Sequence, residues 1–102
     1  MYRRNGEYVF REGVYDMALE HYGFDTQLIV TVEELSEAQK ELCKFFRCEG
    51  NMDHIAEEIA DAFIMLEQAE RILKITDKVT EKMREKVSRL KKRIEDDRGL
   101  AF

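Results

Sequence analysis

Residues 31–68 read TVEELSEAQKELCKFFRCEGNMDHIAEEIADAFIMLEQ and contain two short acidic motifs. The first is Glu-Glu-x-x-Glu at residues 33–37, and the second is Glu-Glu-x-x-Asp at residues 57–61. Acids three residues apart lie on neighbouring turns of one helix face. Gly50 and Asn51 interrupt the stretch, which predicts that its two halves fold back on each other as antiparallel helices.

Such a hairpin would bring four carboxylates together, those of Glu34, Glu37, Glu58 and Asp61. Converging acids without a partner are costly unless a hard cation binds them. The two motifs therefore predict a metal site with oxygen ligands. The sequence lacks the Glu-x-x-His motif of di-iron carboxylate bundles, so magnesium, with manganese as the alternative, fits better than iron.

The composition favours one small all-α domain. The chain has 102 residues, no proline and 38% charged residues, which is typical of a helical protein with a modest core. Its net charge of −5 argues against general nucleic-acid binding. No signal peptide or membrane-spanning segment is recognisable in the sequence, so we expect a cytoplasmic protein with no membrane partner. Cys43 and Cys48 lack histidine ligands nearby and are expected to be reduced core residues.

Apolar residues at helical spacing predict a four-helix domain over residues 13–98. The helices are expected at about residues 14–22, 26–46, 53–75 and 76–97. Asp25 or Thr26 can cap the second helix. The β-branched run at residues 29–32 is also compatible with a strand, but its continuity with the following period favours helix. Residues 1–12 show no helical period and are expected to form an irregular extension, in which residues 8–10 are either a short strand or a tail that packs on a partner.

The third helix is the most apolar segment, and a helix that is apolar on most sides is a buried one. Glu58 falls within this predicted buried arc and Asp61 lies at its edge, which favours a functional role for both acids. Glu34 has an alternative, because Thr31-x-x-Glu34 matches a capping box if the helix begins at Thr31. We expect Glu33 and Glu57 to be solvated. Glu41 either reaches the same site as Glu37 or pairs with a basic neighbour.

On these motifs the chain resembles the MazG-like all-α nucleoside triphosphate pyrophosphohydrolases. The resemblance rests on E-E-x-x-E at residues 33–37 and E-x-x-D at residues 58–61, the latter within EEIADAFIMLEQ, and covers roughly residues 14–95. It implies a four-helix, MazG-like bundle that is completed by oligomerisation as a dimer or tetramer. It also implies magnesium-dependent hydrolysis of a nucleoside triphosphate to a monophosphate and pyrophosphate.

The resemblance further implies roles for individual residues. The metal ligands would be Glu34, Glu37, Glu58 and Asp61, and Glu37 or Glu34 would be the catalytic carboxylate that orients or deprotonates the attacking water. Basic residues of the fourth helix would bind the phosphates, namely Lys86, Arg89 and Arg93. For any one of these three, a solvated position on an exposed helix is the alternative.

Two non-catalytic functions compete with this prediction. One is a helical interaction module that uses the fourth helix as a coiled-coil arm, with a seam formed by Val79, Met83, Val87, Leu90 and Ile94. The other is a nucleotide-binding regulator with the same fold and no catalysis. Independently of the resemblance, a short chain whose fourth helix carries only a narrow row of apolar residues is stabilised by burying apolar surface against a copy of itself.

Overall fold

The computed structural model describes residues 6–99, and these form four α-helices without any strand. The helices are α1 (Gly6–Tyr22), α2 (Phe24–Phe46), α3 (Met52–Ile72) and α4 (Thr76–Gly99). The all-α prediction is therefore confirmed, and so is helix rather than strand at residues 29–32. No helix within residues 6–99 is long and apolar enough to cross a membrane.

The N-terminal prediction is wrong for residues 6–12, which were expected to be irregular or a short strand. They are the first two turns of α1, and Tyr8 is buried there. Because the other apolar residues of this stretch, Val9 and Phe10, are exposed, the apolar face is too narrow to give a helical period. Residues 1–5 of the predicted extension lie outside the described residues.

Two glycine positions set the breaks on either side of α2. Gly23 has φ 94° and caps α2 with no side-chain hydrogen bond, so neither Asp25 nor Thr26 is the cap that was predicted. At the other end, a side chain on Gly50 would lie 2.8 Å from the Cα atom of Phe45, so only glycine fits where the chain turns back. Asn51 then caps α3, because its side chain accepts hydrogen bonds from the backbone N–H groups of Asp53 and His54.

The predicted antiparallel pair of α2 and α3 is the centre of the structure and has the most extensive contact between any two helices. Its interior is small. Five apolar side chains are buried within residues 6–99, those of Tyr8, Tyr15, Ile55, Ala62 and Met65. Six polar or charged side chains are buried as well, those of Gln27, Thr31, Glu41, Glu67, Gln68 and Glu70.

The third helix is less buried than its apolar sequence predicted. Ile59 is 37% exposed and Phe63 is 51% exposed, so the interior formed by one chain covers only part of the apolar surface of α3. The cysteine prediction is also wrong in part: Cys43 and Cys48 are free, but both are exposed rather than in the core.

One chain by itself is extended and exposes an unusually large surface. Its radius of gyration is 17.0 Å, whereas a compact domain of this length has one of about 13 Å. Its accessible surface is 8209 Å², whereas a compact monomer of this mass exposes about 6000 Å². The fourth helix contributes to this surface, since it has no buried residue between Thr76 and Gly99.

Candidate metal centre

Three of the four predicted carboxylates come together between α2 and α3. Glu34 of α2 and Glu58 and Asp61 of α3 each offer an oxygen atom, and these oxygens all lie within 4.8 Å of one another. Glu34 and Glu58 are half-buried, whereas Asp61 is exposed. The three residues are called the carboxylate cluster below. The antiparallel pairing of α2 and α3 thus places acids that are 24 or more positions apart in the sequence at one point.

Glu37 lies beside the carboxylate cluster without belonging to it. It is half-buried, and its Oε1 atom lies 3.5 Å from the ammonium group of Lys40, one turn further along α2. Its negative charge still reaches the cluster, since it helps to raise the pKa values of Glu34 and Glu58. The structure therefore places Glu37 next to the three clustered acids, with a basic partner of its own.

The carboxylate cluster is electrostatically unfavourable when all its members are ionised. The pKa of Glu34 is raised, first by desolvation and then by the charges of Asp61 and Glu58. The pKa of Glu58 is raised in the same way, by desolvation and then by Asp61 and Glu37. Both shifts mean that the local environment disfavours the charged form of the acid. A bound cation would reverse this preference.

The neighbouring acids are separated from the cluster by their positions. Glu33 and Glu57 are exposed, as predicted. Glu41 is buried and its Oε2 atom lies 3.0 Å from the ammonium group of Lys44, which is the second of the two outcomes left open for it. The capping role of Glu34 is excluded, because α2 begins at Phe24 and Thr31 lies well inside the helix.

The donor chemistry of the carboxylate cluster fits magnesium or manganese. All three ligand atoms are carboxylate oxygens, the hard donors that these cations prefer. Neither histidine of the chain belongs to the cluster; His21 is in the last turn of α1 and His54 is in the first turn of α3. An iron or zinc site built on imidazole is therefore not favoured at this point.

The predicted phosphate-binding residues are not brought to the cluster within one chain. Lys86, Arg89 and Arg93 are exposed on α4, and none of them forms an ion pair within residues 6–99. None of the charges that dominate the pKa shifts of Glu34 and Glu58 belongs to α4. Within residues 6–99 the three basic side chains and the acidic cluster therefore form no ion pair with each other.

A second group of charged side chains, between α1 and α3, was not predicted. Arg11 donates two hydrogen bonds to the carboxylate of Glu67, at 3.0 and 3.2 Å, and the Tyr15 hydroxyl donates a third. Arg71 donates to both oxygens of Asp16 and to one oxygen of Glu12. These six residues are called the arginine-bridged network below. Burial, together with the Glu67 carboxylate, raises the pKa of Tyr15 far above its usual range.

A sequence signal for this network existed. Glu67, Gln68 and Glu70 follow directly after the most apolar run of α3, and Arg11 and Tyr15, like Glu12 and Asp16, are four residues apart, which is helical spacing. The signal was not recognised because residues 6–12 were not predicted to be helical, which left Glu67 and Arg71 without partners.

Comparison of the chain with protein-family models, curated proteins and solved structures found no match in any of the three. The resemblance to the MazG-like enzymes therefore stays a prediction from the acidic motifs.

Proposed function

We propose that this chain is a magnesium-dependent nucleoside triphosphate pyrophosphohydrolase that releases a nucleoside monophosphate and pyrophosphate. The observation that carries the proposal is the convergence of Glu34, Glu58 and Asp61, whose oxygens lie within 4.8 Å of one another, and none of the three forms an ion pair within residues 6–99. The pKa values of Glu34 and Glu58 are raised by desolvation and by neighbouring acids, and such a group of carboxylates is well suited to a divalent cation. A triphosphate, which is itself bound through divalent cations in many enzymes, would complete the oxygen ligands.

In this proposal Glu34, Glu58 and Asp61 would hold the magnesium. When bound, magnesium supplies charge compensation for the triphosphate and lowers the pKa of a coordinated water. Glu37 stands next to the cluster and outside it, and in this proposal its carboxylate would orient the attacking water and accept its proton. The water oxygen forms a bond to the α-phosphorus while the bond from that phosphorus to the bridging oxygen breaks, and pyrophosphate leaves.

The phosphate-binding role of Lys86, Arg89 and Arg93 requires a second copy of the chain in this proposal. Within one chain these residues are exposed, and their charges are not among those that dominate the pKa shift of Glu34. The apolar seam of α4 is exposed as well, with Val87 at 64% and Leu90 at 47%. The excess of accessible surface over a compact monomer is about 2000 Å² per chain, or about 4000 Å² for two chains, which lies within the range of obligate dimer interfaces. A dimer or tetramer could therefore place α4 of one copy beside the acids of another.

The first experiment is a panel of ribo- and deoxynucleoside triphosphates, with separate detection of pyrophosphate and orthophosphate. We expect pyrophosphate and a monophosphate in equal amounts with magnesium or manganese, and no product after chelation. The matched pair Glu58→Gln and Glu57→Gln changes adjacent acids, of which only Glu58 belongs to the cluster. The first variant should be inactive and the second should keep its activity. Orthophosphate as the product would contradict the proposed reaction.

The role of α4 can be tested by complementation. Glu58→Gln and the double variant Lys86→Ala/Arg89→Ala should each be inactive, and mixed oligomers should regain part of the activity if the acids and the cations come from different copies. Light scattering coupled to size exclusion would establish the oligomer. A monomer in solution, or no recovery on mixing despite subunit exchange, would contradict a shared site.

The second candidate function is a helical interaction module, and the exposure of α4 favours it. Each of Met83, Val87, Leu90 and Ile94 is at least 38% exposed and they follow the spacing of a coiled-coil seam. This function explains α4 and leaves the carboxylate cluster without a role. Folded protein that hydrolyses no triphosphate in the panel would favour it.

A further inference from the structure

Next to the carboxylate cluster, the interface between α2 and α3 contains buried hydrogen bonds between polar side chains. The Gln27 amide donates to Gln68 Oε1 at 2.7 Å, and the two residues are 5% and 6% exposed. The Thr31 hydroxyl lies 2.8 Å from the Gln27 carbonyl oxygen of its own helix and 3.3 Å from the Met65 carbonyl oxygen of α3. Gln68 also donates to the sulfur of Met65. Gln27, Thr31 and Gln68 are called the amide layer below.

The amide layer and the carboxylate cluster depend on the same alignment of α2 against α3. Gln27 and Glu34 are seven residues apart on α2, and Asp61 and Gln68 are seven residues apart on α3. Seven residues are two helical turns, a rise of about 10.5 Å. Because the helices are antiparallel, the alignment that pairs Gln27 with Gln68 also places Glu34 opposite Asp61.

Apolar packing alone would define this alignment poorly. It is non-directional, and the buried apolar side chains of α3 are only Ile55, Ala62 and Met65. A slip of α2 along α3 by one turn moves it by about 5.4 Å. That distance exceeds the 4.8 Å within which the three carboxylate oxygens lie. The same slip would separate the two amides and leave buried polar groups without partners, so the hydrogen bond selects one alignment.

We propose that Gln27 and Gln68, supported by Thr31, are positioning residues that set the register of α2 on α3 and so assemble the carboxylate cluster. Their effect on metal affinity rests on the proposed function, whereas the register itself is measurable without a metal. Buried polar pairs that select a register are known from coiled coils, where a single buried asparagine has this effect. The amide layer would thus act on Mg²⁺ or Mn²⁺ only through Glu34, Glu58 and Asp61.

The test compares two single variants with their combination. Gln27→Leu and Gln68→Leu each leave one buried amide without its partner, so the unfolding midpoint should fall in both. In the double variant both amides are gone and the midpoint should largely recover. The dissociation constant for Mn²⁺, measured by electron paramagnetic resonance, should nevertheless be about 10- to 100-fold higher in the double variant than in wild type. This is the effect known for the loss of residues that hold metal ligands in place. If the amide layer has only a structural role, the Mn²⁺ affinity should recover together with the stability in the double variant.

The register is read directly from a distance between two spin labels. Ser36→Cys and Ala60→Cys place labels at exposed positions of α2 and α3, on a background of Cys43→Ser and Cys48→Ser. Labelled protein is diluted with unlabelled protein so that only distances within one chain are recorded. The double leucine variant should give a shifted or broadened distance distribution, with displacements of up to about 5.4 Å.

Tyr15→Phe is the matched control, because it also removes a buried hydrogen bond but belongs to the contact of α1 with α3. It should leave the Mn²⁺ affinity and the label distance unchanged. Thr31→Val keeps the side-chain volume and removes the hydroxyl near Met65, so it tests the same register if the double variant does not fold; a severalfold loss of Mn²⁺ affinity is expected.

An unchanged distance and an unchanged Mn²⁺ affinity in the double variant would overturn the proposal. If the double variant does not fold, an unchanged label distance and an unchanged Mn²⁺ affinity in Thr31→Val would overturn the proposal instead. Wild-type protein that does not bind Mn²⁺ would overturn the proposed function and with it the positioning role, while the label distance would still show whether the amide layer sets the register.

Discussion

The carboxylate cluster and the arginine-bridged network both include acids of α3, but only in the network are the acids paired with basic side chains. In the network, Glu67 accepts hydrogen bonds from Arg11 and Tyr15, and Arg71 binds Asp16 and Glu12. In the carboxylate cluster, acids face acids, and none of the three forms an ion pair within residues 6–99.

The pKa shifts show the same contrast. The hydrogen bond from Arg71 lowers the pKa of Asp16, whereas the pKa values of Glu34 and Glu58 are raised by desolvation and by neighbouring acids. The network is complete within one chain and stabilises the fold. The folded environment disfavours the charged forms of Glu34 and Glu58 unless a cation is added, which is why we assign the proposed function to the cluster rather than to the network.

The largest expected effect separates the two groups by activity. Asp61→Asn should reduce triphosphate hydrolysis by at least about a hundredfold, because it removes a ligand of the proposed metal. Glu67→Ala should leave the activity of the folded protein within a few-fold of wild type. Initial rates, corrected for the folded fraction by circular dichroism, measure both. Equal losses in the two variants would remove the distinction between a site and a structural network.

An effect of comparable size should distinguish the carboxylate cluster from the arginine-bridged network by how much added magnesium raises the free energy of unfolding. Wild-type protein at a magnesium concentration 100 times the dissociation constant should gain about 2.7 kcal/mol in the free energy of unfolding. Glu58→Gln should lose this gain and Tyr15→Phe should keep it. Chemical denaturation with magnesium and with chelator measures the difference. A gain of the same size in Glu58→Gln would place the metal elsewhere.

A change in the network should instead lower stability whether or not metal is present. Glu67→Ala removes the partner of Arg11 and of the buried Tyr15 hydroxyl, and we expect a loss of about 1–3 kcal/mol in the free energy of unfolding. Glu57→Gln, at an exposed position of the same helix, is the control and should change stability by less than about 0.5 kcal/mol. Equal denaturation midpoints for Glu67→Ala and wild type would mean that the network is not stabilising.

The smallest effects should have opposite dependences on pH. Asp16 has a lowered pKa in the folded state, so its contribution to stability is present above its usual pKa of about 3.9 and is lost as the pH falls. Glu58 has a raised pKa, so the folded state is favoured below the usual value of about 4.3 and loses that advantage as the pH rises. In chelator at neutral pH, Asp16→Asn should therefore unfold at a lower temperature than wild type and Glu58→Gln at a higher one. Both differences should shrink toward pH 3, and differences of the same sign would contradict the contrast.

Local rules made the helices and the acidic motifs predictable. Spacings of three residues place Glu34 near Glu37, and Glu58 near Asp61, on one face of any α-helix. Gly50 permits a close backbone approach in the turn after α2, and Asn51 caps α3 with its side chain; both effects depend on residues nearby in the sequence. The all-α fold and the antiparallel pairing of α2 with α3 follow from features of this kind.

Tertiary packing decided which residues meet. Glu37 has the same local pattern as the other three acids, but its carboxylate lies near Lys40 and outside the cluster. The register that aligns Glu34 with Asp61 coincides with a buried amide pair, and no spacing within one helix specifies it.

Tertiary packing also decided which side chains are buried. Apolar residues such as Phe63 and Val87 follow helical spacing and are nevertheless exposed in one chain, while Glu67 and Gln68 are buried. Hydrophobicity indicates that a side chain is stabilised by burial, but the surface that covers it is supplied by other helices or by other chains. The amino-acid sequence by itself determined the four helices and the acids that they carry. Only the tertiary structure decided which acids converge and which are neutralised by arginine, because both depend on distances between helices that are far apart along the chain.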